Sequence, residues 1–207
     1  MIEKVADMPG LHQYSRLTLV LDNPQQNYGL STTNEIIKSY DVIAVQPMSE
    51  KMFQVACATL EVDLITLDFA ATGRLPFPIK HGYVNQALQR GIHFEIVYGP
   101  SIVDARSRRQ ALLTGQTLCR ITKGRNLIFT SGADSEWILR APHDAMNLAG
   151  AFGVPAHIRK QAVCENQRRV FEHAASRKLT YRTAIATIDE TVNTSKTDFV
   201  GDFISLH

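Results

Sequence analysis

The residues in this sequence best placed to do chemistry are cations, and the chemistry they suit is phosphate binding. Arg106, Arg108 and Arg109 stand in one short run (DARSRRQ), Lys123 and Arg125 flank Gly124, and Arg140 precedes Pro142. Arg159/Lys160, Arg168/Arg169 and Arg177/Lys178 follow. A planar guanidinium offers two parallel donors to a phosphate, which favours Arg over Lys where that geometry is needed. On a helix Arg106 and Arg109 are i,i+3 neighbours and can address adjacent phosphates. Residues 74–182 contain 17 basic and 7 acidic side chains, and 13 of the 17 are Arg. Residues 1–73 contain 4 basic and 9 acidic, and residues 183–207 contain 1 and 4. The whole-chain charge of +2 therefore conceals a basic middle between two acidic ends. Any one pair is satisfied as easily by a solvated ion pair, but seven acids cannot neutralise seventeen bases locally. Nucleic-acid binding is the inference. Few aromatics interleave with these bases, so a single-strand stacking platform is not indicated.

Catalytic constellations are scarce. The sequence contains no H-x-H, H-E-x-x-H, G-x-S-x-G or C-x-x-C, and no two of its 7 histidines lie two or four residues apart. Asp68 follows an apolar run where a barrel hydrolase would carry a metal ligand, but a lone Asp there more often caps a helix or turn. His93 and Glu95 read as satisfied polar groups of a strand rather than a catalytic pair. Cys119 reads as core. No catalytic residue and no metal ligand is predicted.

The elements that must position the cations alternate. Leu17–Leu21, Val42–Val45, Leu64–Leu67, Phe94–Val97 and Leu127–Thr130 are almost continuously apolar, the pattern of parallel strands covered on both faces. Helices are predicted over Thr33–Ser39, Glu50–Leu60, Val84–Arg90 and Ile102–Thr122, with Gly91 and Gly124 as C-terminal caps. Pro142 starts a further helix that Gly153 ends, Pro155 opens another, and Asn166 is placed to cap a last one running to about Ser176. LPFP at Leu75–Pro78 reads as a rigid connector, Gly115 as a close helix contact, and Trp137 as either core or a partner contact. Such alternation points to an α/β domain with a parallel sheet. Neither G-x-G-x-x-G nor G-x-x-x-x-G-K-[ST] supports a doubly wound nucleotide fold. A (β/α)₈ barrel needs eight strands and about 250 residues, whereas five strands are visible in 207. The division expected is a lead-in over 1–13, a partial α/β barrel domain over 14–188, and a polar, disordered tail over 189–207.

Composition sets the remaining bounds. With 44% hydrophobic and 20% charged residues the chain supports one domain with a sizeable core. No apolar run approaches a membrane span, and Glu3 and Asp7 interrupt any signal-peptide core. Cys57, Cys119 and Cys164 are too widely spaced for a disulfide or metal framework. A soluble protein of a reducing, intracellular compartment is expected, with no membrane partner.

An ordered series of segments resembles the thirty-kilodalton protein subunit of ribonuclease P, also called RNase P protein component 3. It comprises RLTLV at Arg16–Val20, YDVIAV at Tyr40–Val45, VDLI at Val62–Ile65 and LPFPIKHGYVNQALQRGIHFEIVYGP at Leu75–Pro100. SRRQ at Ser107–Gln110, KGRNLI at Lys123–Ile128, LRAPHDAMNL at Leu139–Leu148 and CENQRR from Cys164 complete it, over about residues 14–183. The resemblance implies a TIM-barrel-like fold related to the polymerase-and-histidinol-phosphatase barrel. It also implies a subunit of ribonuclease P, which removes 5′ leaders from precursor tRNA, and of RNase MRP, which processes precursor ribosomal RNA. In that family the RNA subunit cleaves with Mg²⁺ and the protein supports it, beside a small α/β partner subunit, in the nucleus and nucleolus. No cofactor would be bound by this chain itself. Family members carry further N-terminal residues supplying the first barrel strands, so the barrel is expected to be incomplete at its N-terminus. Arg108, Arg109, Lys123, Arg140, Asn166 and Arg177 fall in the matching motifs and are implied for RNA or partner contact; the basic clusters add Arg106, Arg125, Arg168, Arg169 and Lys178 to the expected contacts. A metal-dependent barrel phosphoesterase and a protein-only scaffold are the alternatives.

Overall fold

Strand–helix alternation resolves into a single parallel sheet. The computed structural model of the protein describes residues 12–23, 30, 34–69 and 75–179; most of the expected lead-in and all of the expected tail lie outside them. The strands β1 (Arg16–Leu21), β2 (Val42–Pro47), β3 (Leu64–Ile65), β4 (His93–Val97) and β5 (Leu127–Thr130) are neighbours in chain order, every pair parallel. The helices are α1 (Glu35–Ser39), α2 (Glu50–Ala58), α3 (His81–Gln89), α4 (Gly99–Val103), α5 (Ala105–Thr122), α6 (Pro142–Ala151) and α7 (Asn166–Leu179). Sequential order is the winding of a (β/α) barrel, whereas doubly wound sheets reverse their order at a switch point. The fold is α/β and TIM-barrel-like.

Side-chain alternation along the strands assigns the two faces. Ile43, Val45, Ile65, Phe94, Ile96, Leu127 and Phe129 pack with Met52 and Phe53 of α2, Val84 of α3, Leu118 of α5 and Phe152 after α6. Val42, Ala44, Leu64 and Ile128 point the other way and meet Val170 of α7. The expectation that every strand is covered on both faces holds for β2 but not for β1, whose burial alternates as an edge strand and leaves Val20 53% exposed.

At the far edge α7 covers β5. The carbonyls of Asn126 and Thr130 accept from Phe94 of β4 and from Tyr98 just after it, at 2.8 and 3.0 Å, so those of Leu127 and Phe129 point off the sheet. Asn166 Nδ2 donates to the first at 2.7 Å and Gln167 Nε2 to the second at 3.3 Å. A π turn over Gln161–Glu165 runs directly into α7. Wide turns of this kind shift the side chains that follow them, and here Asn166 and Gln167 both reach the strand edge. Asn166 therefore does not cap a helix start, as the sequence suggests; it has helical dihedrals (φ −68°, ψ −28°) and is 2% exposed.

Two helices also differ from expectation. The stretch read as one helix from Ile102 to Thr122 is broken at Asp104, which has φ −122° and accepts from the amides of Arg106 and Ser107 at 3.2 and 2.9 Å. A side chain that caps an N-terminus competes with helix interior, and here it ends α4 and starts α5. The helix expected from Val84 begins a turn earlier, at His81. Gly91 follows α3 with φ +78°, the left-handed conformation expected of its cap. Gly115 faces Phe152 so closely that an added Cβ would lie 2.7 Å from Cδ1, as its close-contact reading required. Among the described residues no helix is long and apolar enough to cross a membrane.

Candidate nucleic-acid interface

The basic middle separates into cations that hold the fold together and cations that do not. At the N-terminal end of the sheet Asp63, with no exposed surface, precedes β3. Its carboxylate accepts from the Ile43 amide at 2.8 Å and from Arg177, Nε at 3.0 Å to Oδ1 and Nη2 at 2.9 Å to Oδ2. His173 Nδ1 lies 2.9 Å from Oδ1 and its Nε2 lies 3.2 Å from the Arg90 carbonyl, so both ring nitrogens face acceptors. Burial would raise the Asp63 carboxyl, but the hydrogen bonds from His173, Arg177 and Ile43 outweigh it and hold it below the usual carboxylate range. Beside it Lys178 Nζ lies 3.2 Å from Asp41, which also accepts from the amide and hydroxyl of Ser15, each at 2.8 Å. Arg177, Lys178 and Asn166 thus anchor α7 to the sheet. Of the residues predicted from sequence to meet RNA or a partner, these three are framework.

A second internal set lies on the same sheet face. Arg16 of β1 makes a bidentate pair with Glu95 of β4, both contacts 2.6 Å, reaching past β2 and β3, and Thr130 Oγ1 donates to Glu95 at 2.9 Å. Glu95 is satisfied, as its sequence context predicts. His93 is not: it is 4% exposed and neither ring nitrogen has a partner among the described residues. Burial pushes it down to about 4, and the nearby Gly91 carbonyl only partly opposes this. Cys119 is buried core, and burial pushes its thiol up to about 12. Among the described residues no group of three His, Cys, Asp or Glu is arranged to hold a metal ion.

The remaining predicted residues stay at the surface. Arg106, Arg108 and Arg109 lie within the first five residues of α5 and are exposed. Arg108 folds back, Nε donating to the Ser101 carbonyl at 2.6 Å. Arg106 and Arg109 make no side-chain hydrogen bond or ion pair among the described residues, and the same holds for Lys123 at the C-cap of α5. Arg125 donates to Thr122 O at 3.3 Å and is otherwise exposed. Lys123 and Asn126, with φ of 55° and 48°, bracket a tightly wound tip. Arg140 binds its own turn, Nη1 donating to the carbonyls of Trp137 and Leu139 at 3.0 and 2.9 Å. That turn holds Trp137 81% exposed, which removes the core reading. Arg168 pairs with Glu172 at 3.3 Å on the outer face of α7, and Arg169 reaches Asn166 at 3.4 Å.

Asp63, Arg16 and His173 carry the internal networks, and sequence reasoning passed over all three. The available signal was a single charge inside the apolar run VDLI: an Asp there must be paired or must pay its desolvation. Arg120 of α5, exposed and unpaired among the described residues, was also passed over, although it shares the helical face of Arg106 and Arg109.

The comparisons with known proteins agree on one family. A family model described as RNase P subunit p30 matches residues 2–179. The ribonuclease P protein subunit p30 of Mus musculus is 40% identical over 167 residues, 81% of this chain and 62% of its own length. Protein GAMETOPHYTE DEFECTIVE 1 of Arabidopsis thaliana is 40% identical over 84% of this chain but only 29% of its own length. The ribonuclease P/MRP protein subunit RPP1 of Saccharomyces cerevisiae is 29% identical over 89% of this chain and 61% of its own. This chain therefore spans less than two thirds of each of these three relatives. A chain in the cryo-EM structure of archaeal ribonuclease P with mature tRNA superposes with a TM-score of 0.66 at 16% identity, covering 86% of this chain and 76% of that one.

Proposed function

This chain belongs to the RNase P subunit p30 family, and from that premise we propose that it serves as a protein subunit of ribonuclease P and of RNase MRP. It is an RNA-associated support rather than a catalyst. Cleavage belongs to the RNA subunit and its Mg²⁺, and the chain acts on precursor tRNA and precursor ribosomal RNA within the assembled particle, in the nucleus and nucleolus. The observation that carries the reading is the set of exposed cations left over once the fold has satisfied its own charges: Arg106, Arg109 and Lys123, with Arg125 and Arg140 beside them. Unpaired guanidinium groups on a rigid helix end are suited to phosphate oxygens. The exposed Trp137, carried on a turn anchored by buried Ile138, supplies an apolar contact for a partner subunit, since aromatic side chains dominate such interfaces.

The test is binding to RNase P RNA transcript over a salt series, with co-purification of the other subunits at physiological salt. Affinity should fall linearly on a double-logarithmic plot with a slope of several units, as phosphate contacts release counterions. Failure both to bind the transcript and to co-purify would remove the proposal.

A further inference from the structure

Helix α5 joins what the sequence presents as two separate basic clusters. Its 18 residues, ARSRRQALLTGQTLCRIT, include four arginines and no acid. At 3.6 residues per turn, Arg106, Arg109, Leu113, Gln116 and Arg120 fall within an arc of about 80°. The buried positions Ala111, Gly115, Leu118, Cys119 and Thr122 lie on the opposite side of the helix. The stripe therefore points straight away from the core. Arg106, Arg109, Arg120 and Lys123 are all exposed and make no hydrogen bond or ion pair among the described residues. The Asp104 cap fixes where the helix starts, so the stripe is held by main-chain geometry.

The charges on this stripe sit at its two ends. Arg106/Arg109 at one end and Arg120 at the other, with Lys123 beside it at the left-handed C-cap, flank the uncharged Leu113 and Gln116, and Arg109 and Arg120 are 11 residues apart, about 16 Å along the axis. We propose that α5 is a docking ridge for double-stranded, A-form RNA, lying across the minor groove with one basic pair on each phosphate backbone. The groove is wide and shallow, so a helix surface can span it without inserting. The minor groove of B-DNA is much narrower. The stripe has no aromatic residue on which unpaired bases could stack. This inference rests on the RNA-associated reading above and adds the form of RNA and the surface that meets it.

The experiment uses the whole chain with three probes of equal length: an RNA duplex, its single strand, and the corresponding DNA duplex. R106Q/R109Q and R120Q/K123Q are compared with wild type and with K38Q/K51Q, an exposed pair outside the basic middle. Thermal melts confirm that each variant remains folded. Each α5 double variant should bind the RNA duplex at least tenfold more weakly and lower the salt slope by about 2, one per lost phosphate contact, while K38Q/K51Q does neither. Wild type should prefer the RNA duplex to both other probes. Duplex affinity within twofold of wild type in either α5 variant would overturn the ridge, and so would a single strand or DNA duplex bound as tightly. Loss of protein subunits with unchanged duplex affinity would overturn it in favour of a protein surface. In each of those cases binding to RNase P RNA itself would leave the subunit reading standing; failure of wild type both to bind that RNA and to co-purify would strike both.

Discussion

Helices α5 and α7 carry four basic residues each, yet use them in opposite ways. Those of α7 point into structure or pair locally: Arg177 is 8% exposed on Asp63, Lys178 reaches Asp41, Arg168 pairs with Glu172 and Arg169 contacts Asn166. On α5 only Arg108 folds back on its own chain, and Arg106, Arg109 and Arg120 remain unpaired among the described residues. The difference teaches that basic content alone does not mark a binding surface. A cation is available to a ligand when the fold has not already supplied its anion.

The comparison breaks most readily at the Asp63 clamp. Arg177→Ala leaves a buried carboxylate with its main partner gone and should cost about 3–5 kcal/mol, a fall in Tm of about 10 °C for a chain of this size. A Tm within 2 °C of wild type would place Arg177 with the free cations of α5. His93 is next. Its folded pKa of about 4 lies below the unfolded value of 6.5, so the unfolded chain binds its proton first. Stability is thus undiminished above pH 6.5 and falls as pH drops from 6.5 towards 4, by about 3 kcal/mol. Asp63, also depressed, adds a further loss at lower pH, as pH falls through its folded value. Denaturant midpoints of wild type and His93→Leu measured across that range should separate as pH falls, wild type dropping more steeply and the variant being flatter; parallel curves would show that the ring is not buried neutral.

Smaller effects sharpen the contrast between the two sides of α5. Gly115→Ala drives a methyl against Phe152 on the buried side and should destabilise by about 1–2 kcal/mol, despite the helix-propensity gain of about 1 kcal/mol. Arg109→Gln on the exposed side should change unfolding free energy by less than about 0.5 kcal/mol while weakening RNA binding. Trp137→Ala should likewise leave stability within about 0.5 kcal/mol and reduce capture of partner subunits; a large loss of stability would return the indole to the core.

Local pattern carried much of the fold. The five strands were legible because parallel strands are apolar runs, and only their ends moved: β3 stops at Ile65 rather than Leu67. Legibility failed where two local signals competed. Asp104 looks like one polar residue in a helical stretch until its carboxylate is seen capping α5. Asn166 carries every mark of a cap, but the π turn before it keeps the helix running and turns its amide to the edge of β5.

The sequence by itself determined the parallel α/β alternation, the basic middle and the family, because these reside in residue order and composition. Only the tertiary structure decided which cations are free. Arg177 and its anion Asp63 are 114 residues apart in the chain, and Arg16 and Glu95 are 79 apart. No window of sequence contains both members of such a pair. Arg106, Arg109, Arg120 and Lys123 make no ion pair among the described residues, although Asp104 stands two residues before Arg106: its carboxylate accepts from the α5 amides instead. Coulomb attraction acts through space, so the fold sets which basic residues bind phosphate and which hold the sheet.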